Sequence, residues 1–253
     1  MRCGGVAMLA LGCGRSSTEL GVGDVFVARD EAGQAIEFRI DAAEKDKLDS
    51  RGDYLLYTLS ARAAGGEMAP YCEPDADGLR QAIPVPGAWD ELGNPVALEG
   101  ATTIACTNGA IAKCVRLGYK PWLEAPGKPM KALHQACTRM IRADYCGDGS
   151  SHTKDGTRID VFDSHGIQAR DERAVAPEVF EAAWGPNGAV YVNTLRWQDD
   201  VRALVAECPD RLAGNTSLDK LLTPDQVAAE YGKDLVFNGR FVAPEDRVFS
   251  SDL

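Results

Sequence analysis

The placement of eight cysteines constrains this chain more than any other feature. They are Cys3, Cys13, Cys72, Cys106, Cys114, Cys137, Cys146 and Cys208. Six of them fall between residues 72 and 208, an even number. The closest pairs, Cys106/Cys114 and Cys137/Cys146, are separated by seven and eight residues. Structural zinc sites use tighter pairs such as C-x2-C, so these spacings argue against a metal site. In an oxidising compartment the same six read as three disulfides, each worth about 2–4 kcal/mol. Six cysteines allow 15 pairings, and spacing does not choose among them.

The first residues supply the compartment. Arg2 precedes an apolar stretch from Val6 to Leu11, closed by Gly12 and Cys13. A basic start, an apolar middle and a small residue at the break form the layout of a secretory signal. The ending Leu9-Ala10-Leu11-Gly12-Cys13 resembles a bacterial lipobox, departing from it at Ala10, where Leu is usual. That resemblance implies a lipidated Cys13 at the start of the mature chain, and a signal cleaved without lipidation is the alternative. The apolar stretch is short, consistent with a start upstream of Met1. Residues 14–18, Gly-Arg-Ser-Ser-Thr, then read as a polar tether.

The 253 residues, 45% hydrophobic and 26% charged, are enough to bury a core. The net charge of -11 disfavours a nucleic-acid partner. Lys113, Arg116, Lys120, Lys128, Lys131, Arg139 and Arg142 read as a solvated basic face, with a local anion site as the sharper alternative.

Alternating apolar residues predict strands over 24–28, 35–41, 53–61, 102–106, 158–162, 180–184, 189–195 and 235–242. A short strand over 82–85 is confined to an edge by Pro84 and Pro86. Asp75-Ala76-Asp77-Gly78 opens like a calcium loop but lacks its later ligands, and reads as a turn. Thr107 and Asn108 as caps and Gly118 as terminator predict a helix over 110–117, in preference to a hairpin at Asn108-Gly109. Longer helical periodicity runs over 129–145, with further helices at 199–207 and 224–231. The fold class is α+β: mostly antiparallel sheet with a few short helices, disulfide-stabilised.

Ala143-Asp144-Tyr145-Cys146 lies in the segment Ala132 to Gly149. It is accompanied by residues 105–114, by Gly118-Tyr119-Lys120-Pro121-Trp122 and by residues 151–157. Together these stretches resemble the ADYC domain, a bacterial family of exported and lipid-anchored proteins, over roughly 70–212. The resemblance implies domain identity and export and carries no catalytic residues. The expected organisation is a signal peptide over 1–12, a lipidated tether over 13–22 and a β-rich region over 23–69. The ADYC-like domain over 70–212 and a helix–strand segment over 213–253 follow.

Residues that could carry chemistry are few. Cys106 precedes a helix start, where amides and the dipole stabilise a thiolate. With His152 or His165 as base and Asp144 nearby in sequence, it could serve a papain-like hydrolase or transferase. Against this, Cys106 among six exported cysteines reads as half of a bridge. His134 reads as a partly buried core histidine, and Asp144 as an arginine partner beside a tight Gly-rich turn. Trp89, Trp122, Trp184 and Trp197 suit either a binding surface or the core. The expected function is a non-catalytic binding or scaffold role at the cell envelope, as an outer-membrane lipoprotein or a secreted or periplasmic protein. No cofactor or metal is implied. The expected partners are the membrane, through the lipid, and a protein or small-molecule ligand. Intact-mass analysis of protein extracted from bacterial membranes is expected to show a diacylated or triacylated Cys13 as first residue; an unmodified Met1 would contradict it.

Overall fold

The computed structural model describes residues 7–10, 21–30, 32–154, 156–171, 178–196 and 200–241. Cys3, Cys13, Asp155 and Trp197 lie outside them, as does most of the expected tether. The described residues are α+β, with antiparallel sheets, short helices and disulfides. The chain forms two compact units, Met1–Arg116 and Leu117–Leu253.

The first unit is built from β1 (Ala7–Ala10), β2 (Val25–Arg29), β3 (Ala35–Lys45), β4 (Leu55–Ala63), β5 (Ala69–Pro70), β6 (Gln81–Pro86), β7 (Ala88–Trp89), β8 (Pro95–Val96), β9 (Ala101–Cys106) and α1 (Ala110–Arg116). Its main sheet runs β3-β2-β1-β9-β6-β4-β5, and β3 also pairs with β4, so six of the strands close into a ring. β7 and β8 form a separate hairpin. Period-two alternation sends Ala28, Phe38, Ile40, Leu59 and Ile104 into the core. Phe26 stacks on Phe38 at 5.2 Å between centroids, and the Cys72–Cys106 disulfide lies in the same cluster. The boundary expected between residues 69 and 70 falls inside this sheet, because β4 pairs with both β5 and β6.

Four turns of this unit repeat one device. In Asp30–Gln34, Asp49–Asp53, Asp75–Leu79 and Asp90–Asn94, the Asp carbonyl accepts from a glycine three residues on, and its carboxylate accepts the following N–H. Gly33, Gly52, Gly78 and Gly93 sit there at φ 77°, 65°, 77° and 75°, which side-chain-bearing residues avoid. The Asp75 motif is therefore a turn, and its carboxylate also accepts from the Thr107 hydroxyl at 2.8 Å.

The expectation that Pro84 and Pro86 place their strand on an edge is corrected, since β6 lies between β9 and β4. The reason is local. Thr107 N–H donates to Gln81 O and Gly87 N–H to Ala101 O, so odd-numbered residues of β6 bond to β9. The even-numbered prolines turn their missing donors toward β4, whose pairing ends at Ala82.

The second unit contains α2 (Met130–Arg142), β10 (Ile159–Asp163), β11 (Glu178–Gly185), β12 (Gly188–Val192), α3 (Val201–Glu207), α4 (Pro209–Leu212), α5 (Pro224–Tyr231) and β13 (Val236–Phe241). Its antiparallel sheet has the order β10-β13-β11-β12. Ala183, Tyr191 and Phe237 on one face pack with Val227 of α5. Trp184 projects from the opposite face and lies 4.9 Å from Tyr145, just beyond α2. The expected boundary at 212/213 does not divide this unit, because β13 sits at the centre of its sheet. α5 begins with a full capping box between Thr223 and Gln226, and Pro224 occupies its first turn.

At the start of β11, burial, reinforced by the Asp160 carboxylate, pushes the Glu178 carboxyl above its ordinary range. A raised carboxyl favours folding only below the unfolded-state value near 4.3, and that contribution is lost as pH rises through the folded value. Glu178→Gln is therefore expected to raise the urea midpoint at pH 7 and to leave it unchanged near about pH 4. An equal effect at both pH values would contradict this.

Candidate functional site

The turn that ends α2 organises the second unit. Ala143 caps the helix at φ 50°, the only non-glycine with positive φ among the described residues. Its N–H donates to Met140 O, and the next N–H, of Asp144, donates to Arg139 O. Asp144 is fully buried. One of its carboxylate oxygens accepts from Gly147 N–H at 2.8 Å. The other accepts from Gly149 N–H at 2.9 Å and from the Arg139 guanidinium. One ionised side chain thus folds the whole loop around itself. Cys146 ties the loop to the C-cap of α3 through its disulfide with Cys208.

Gly147 closes against the β11–β12 hairpin. A Cβ on Gly147 would stand 1.7 Å from Asn187 O, and one on Gly188 would stand 2.8 Å from Tyr145 O. Ala189 N–H donates to that same Tyr145 carbonyl.

Tyr145 leads into a second buried network. Its hydroxyl donates to Glu181 Oε1 at 3.0 Å and accepts from Arg196 N–H at 3.2 Å. The Arg196 guanidinium pairs with Glu181 and also donates to Met140 O, Ile141 O and Thr153 Oγ1. A cation on the last carbonyls of α2 suits the helix dipole. Burial, then the Glu181 charge, pushes the Tyr145 phenol well above its ordinary value, so it remains a neutral donor.

Above this network opens a cleft of about 320 Å³. Leu195 and Leu204 give it apolar walls, and Ser151, His152, Lys154 and Glu207 form its polar side. His152 Nδ1 lies 3.2 Å from Ala143 O, and Nε2 lies 3.1 Å from Glu207 Oε2. Both ring nitrogens face acceptors, so neither is presented to a substrate.

The other candidates are placed elsewhere. Cys106 lies in the first unit with its sulfur bonded to Cys72, and no thiolate is left on it in the oxidised chain. Cys114 and Cys137 are half-cystines as well. His165 sits in the turn after β10, with Nε2 2.8 Å from Asp234 Oδ1. His134 is completely buried rather than partly so. Trp184 and Trp89 are core residues, and the latter underlies Gly87. The solvated basic face is corrected too. Lys120 and Arg139 are buried, Arg116 pairs with the buried Asp46 at 2.8 Å, and Arg142 donates to Gly149 O.

Sequence reasoning missed Glu181, Arg196 and Glu207. Glu181 did leave a signal: an acid within the run Val179-Phe180-Glu181-Ala182-Ala183-Trp184 demands a buried partner. Nothing local named Arg196 as that partner.

The two disulfide-bridged units and the turn after α2 define a class: an α+β protein organised around a buried aspartate beside a cystine. The chain belongs to the ADYC domain family, which it matches over residues 18–198. No curated protein and no solved structure is significantly similar to it. The tetrapeptide Ala143–Cys146 now has a physical reading. Its alanine turns the helix end, its aspartate gathers the loop, its tyrosine joins the Glu181–Arg196 network, and its cysteine forms the bridge.

Gly147→Ala is expected to cost about 3 kcal/mol or more, because the backbone of Asn187 blocks the new methyl. Gly127→Ala, at a similar φ of 73° in open space, is expected to cost only about 1–2 kcal/mol. Equal losses in urea unfolding would refute the interlock.

Proposed function

We propose that this chain is a non-catalytic binding module of the bacterial envelope, exported by its leader and held at a membrane through lipid on Cys13. Disulfides support export, since they persist in oxidising compartments. The lipobox-like residues Leu9–Cys13 support the anchor.

The ligand site is the cleft beside His152, which suits a small ligand with both an apolar part and hydrogen-bonding groups. The observation that carries the non-catalytic reading is how the reactive groups are used. Cys106 is spent in a cystine, and His152 is clamped between a carbonyl and a carboxylate.

The test is alkylation of the native protein without reductant, followed by peptide mass mapping. No label is expected on any of the six cysteines from Cys72 to Cys208. A Cys106 that labels rapidly at neutral pH would overturn the proposal in favour of a cysteine nucleophile.

A further inference from the structure

The ring of the first unit is completed by the chain's own leader. β1 lies antiparallel to β9 in the register Ala7↔Ile104, Met8↔Thr103, Leu9↔Thr102 and Ala10↔Ala101. On its other side Met8 pairs antiparallel with Arg29 of β2. Cleavage before Cys13, as proposed above, removes that strand.

What remains is specific. On β9 the odd-numbered residues bond to β6, as Gly87 N–H to Ala101 O and Thr107 N–H to Gln81 O establish at the two ends of the ladder. The N–H and C=O groups of Thr102 and Ile104 therefore face the seam. On β2 the even-numbered residues bond to β3, as the Asp30 N–H to Gln34 O bond fixes. The backbone groups of Val25, Val27 and Arg29 therefore face the seam from the other side.

β2 and β9 cannot close the seam as they stand. Each is antiparallel to β1, so they run parallel to each other, two strand spacings or about 9–10 Å apart. Backbone groups beside a buried core need hydrogen-bond partners.

We infer that the seam between β2 and β9 in the processed protein receives an extended, aliphatic segment of a partner protein, which adds as a strand antiparallel to both. The leader shows the geometry such an occupant takes, with four uncharged residues, Ala-Met-Leu-Ala, in register with Ala101–Ile104. The outer face of β2 sets its chemistry. Val25 and Val27 are each 57% exposed beyond the Met8↔Arg29 pair, so a longer strand with aliphatic outward side chains would cover them. This inference rests on leader cleavage and is independent of the cleft.

The experiment uses protein purified from membranes. Its intact mass first establishes whether residues 7–10 are gone. Amide exchange at Thr102 and Ile104 is then followed with and without a soluble peptide carrying the sequence of residues 6–11, and with the same peptide bearing Leu9→Pro. The expected result is rapid exchange in the processed chain and protection by about tenfold or more with the peptide. The proline peptide should fail, because it lacks the N–H that meets Thr102. Three results would overturn the inference: amides already protected in the free monomer, no response to saturating peptide, or protection that appears only with rising protein concentration, which would make a second copy the occupant. If the mass shows Met1 and the leader retained, the anchor reading fails, and the seam is permanently filled by the chain's own strand.

Discussion

A carboxylate removed from water beside an arginine governs the second unit. Asp144 is fully buried and Arg139 nearly so, and two backbone N–H groups complete the aspartate's shell. An ion pair at that depth is stable only with its remaining hydrogen bonds satisfied, because desolvation costs several kcal/mol per ion. That requirement dictates the loop. Gly147 and Gly149 must present their N–H groups inward, which draws the chain against the β11–β12 hairpin and sets Cys146 beside Cys208. The walls of the cleft then follow, since Tyr145 and His152 are positioned by the same turn and Glu207 immediately precedes the bridged Cys208.

Much of the fold was legible because local periodicity and turn chemistry agreed. The alternation in Ile36-Glu37-Phe38-Arg39-Ile40 gave its strand, and the stripe Leu133, Cys137, Met140 gave α2. Asn108-Gly109 leads into a helix rather than a hairpin, and Gly118 follows its end at φ 91°. What stayed hidden depends on partners distant in sequence. The arginines near residues 116–142 look like a solvated surface until Asp46 and Asp144 are placed against Arg116 and Arg139. Pro84 and Pro86 look like edge residues until the extent of β4 is known. Ala7–Ala10 has the composition of a leader core, and its pairing with β9 depends on a strand almost a hundred residues away.

The candidate site was legible in the same partial way. Asp144 and His152 were recognisable as residue types able to do chemistry, yet the structure commits both to holding backbone and side chains in place. The tetrapeptide shared with the ADYC family thus marks a folding device. Within the second unit that device also shapes the cleft, since Tyr145, Ser151 and His152 line it.

The most direct test of this account is a double-mutant cycle on Arg139→Met and Asp144→Asn, with stability read from urea unfolding of the oxidised protein. If the buried pair organises the turn, each single change destabilises strongly and the coupling energy exceeds about 2 kcal/mol. A coupling near zero, with additive losses, would show that the turn is held by the cystine and the hairpin alone.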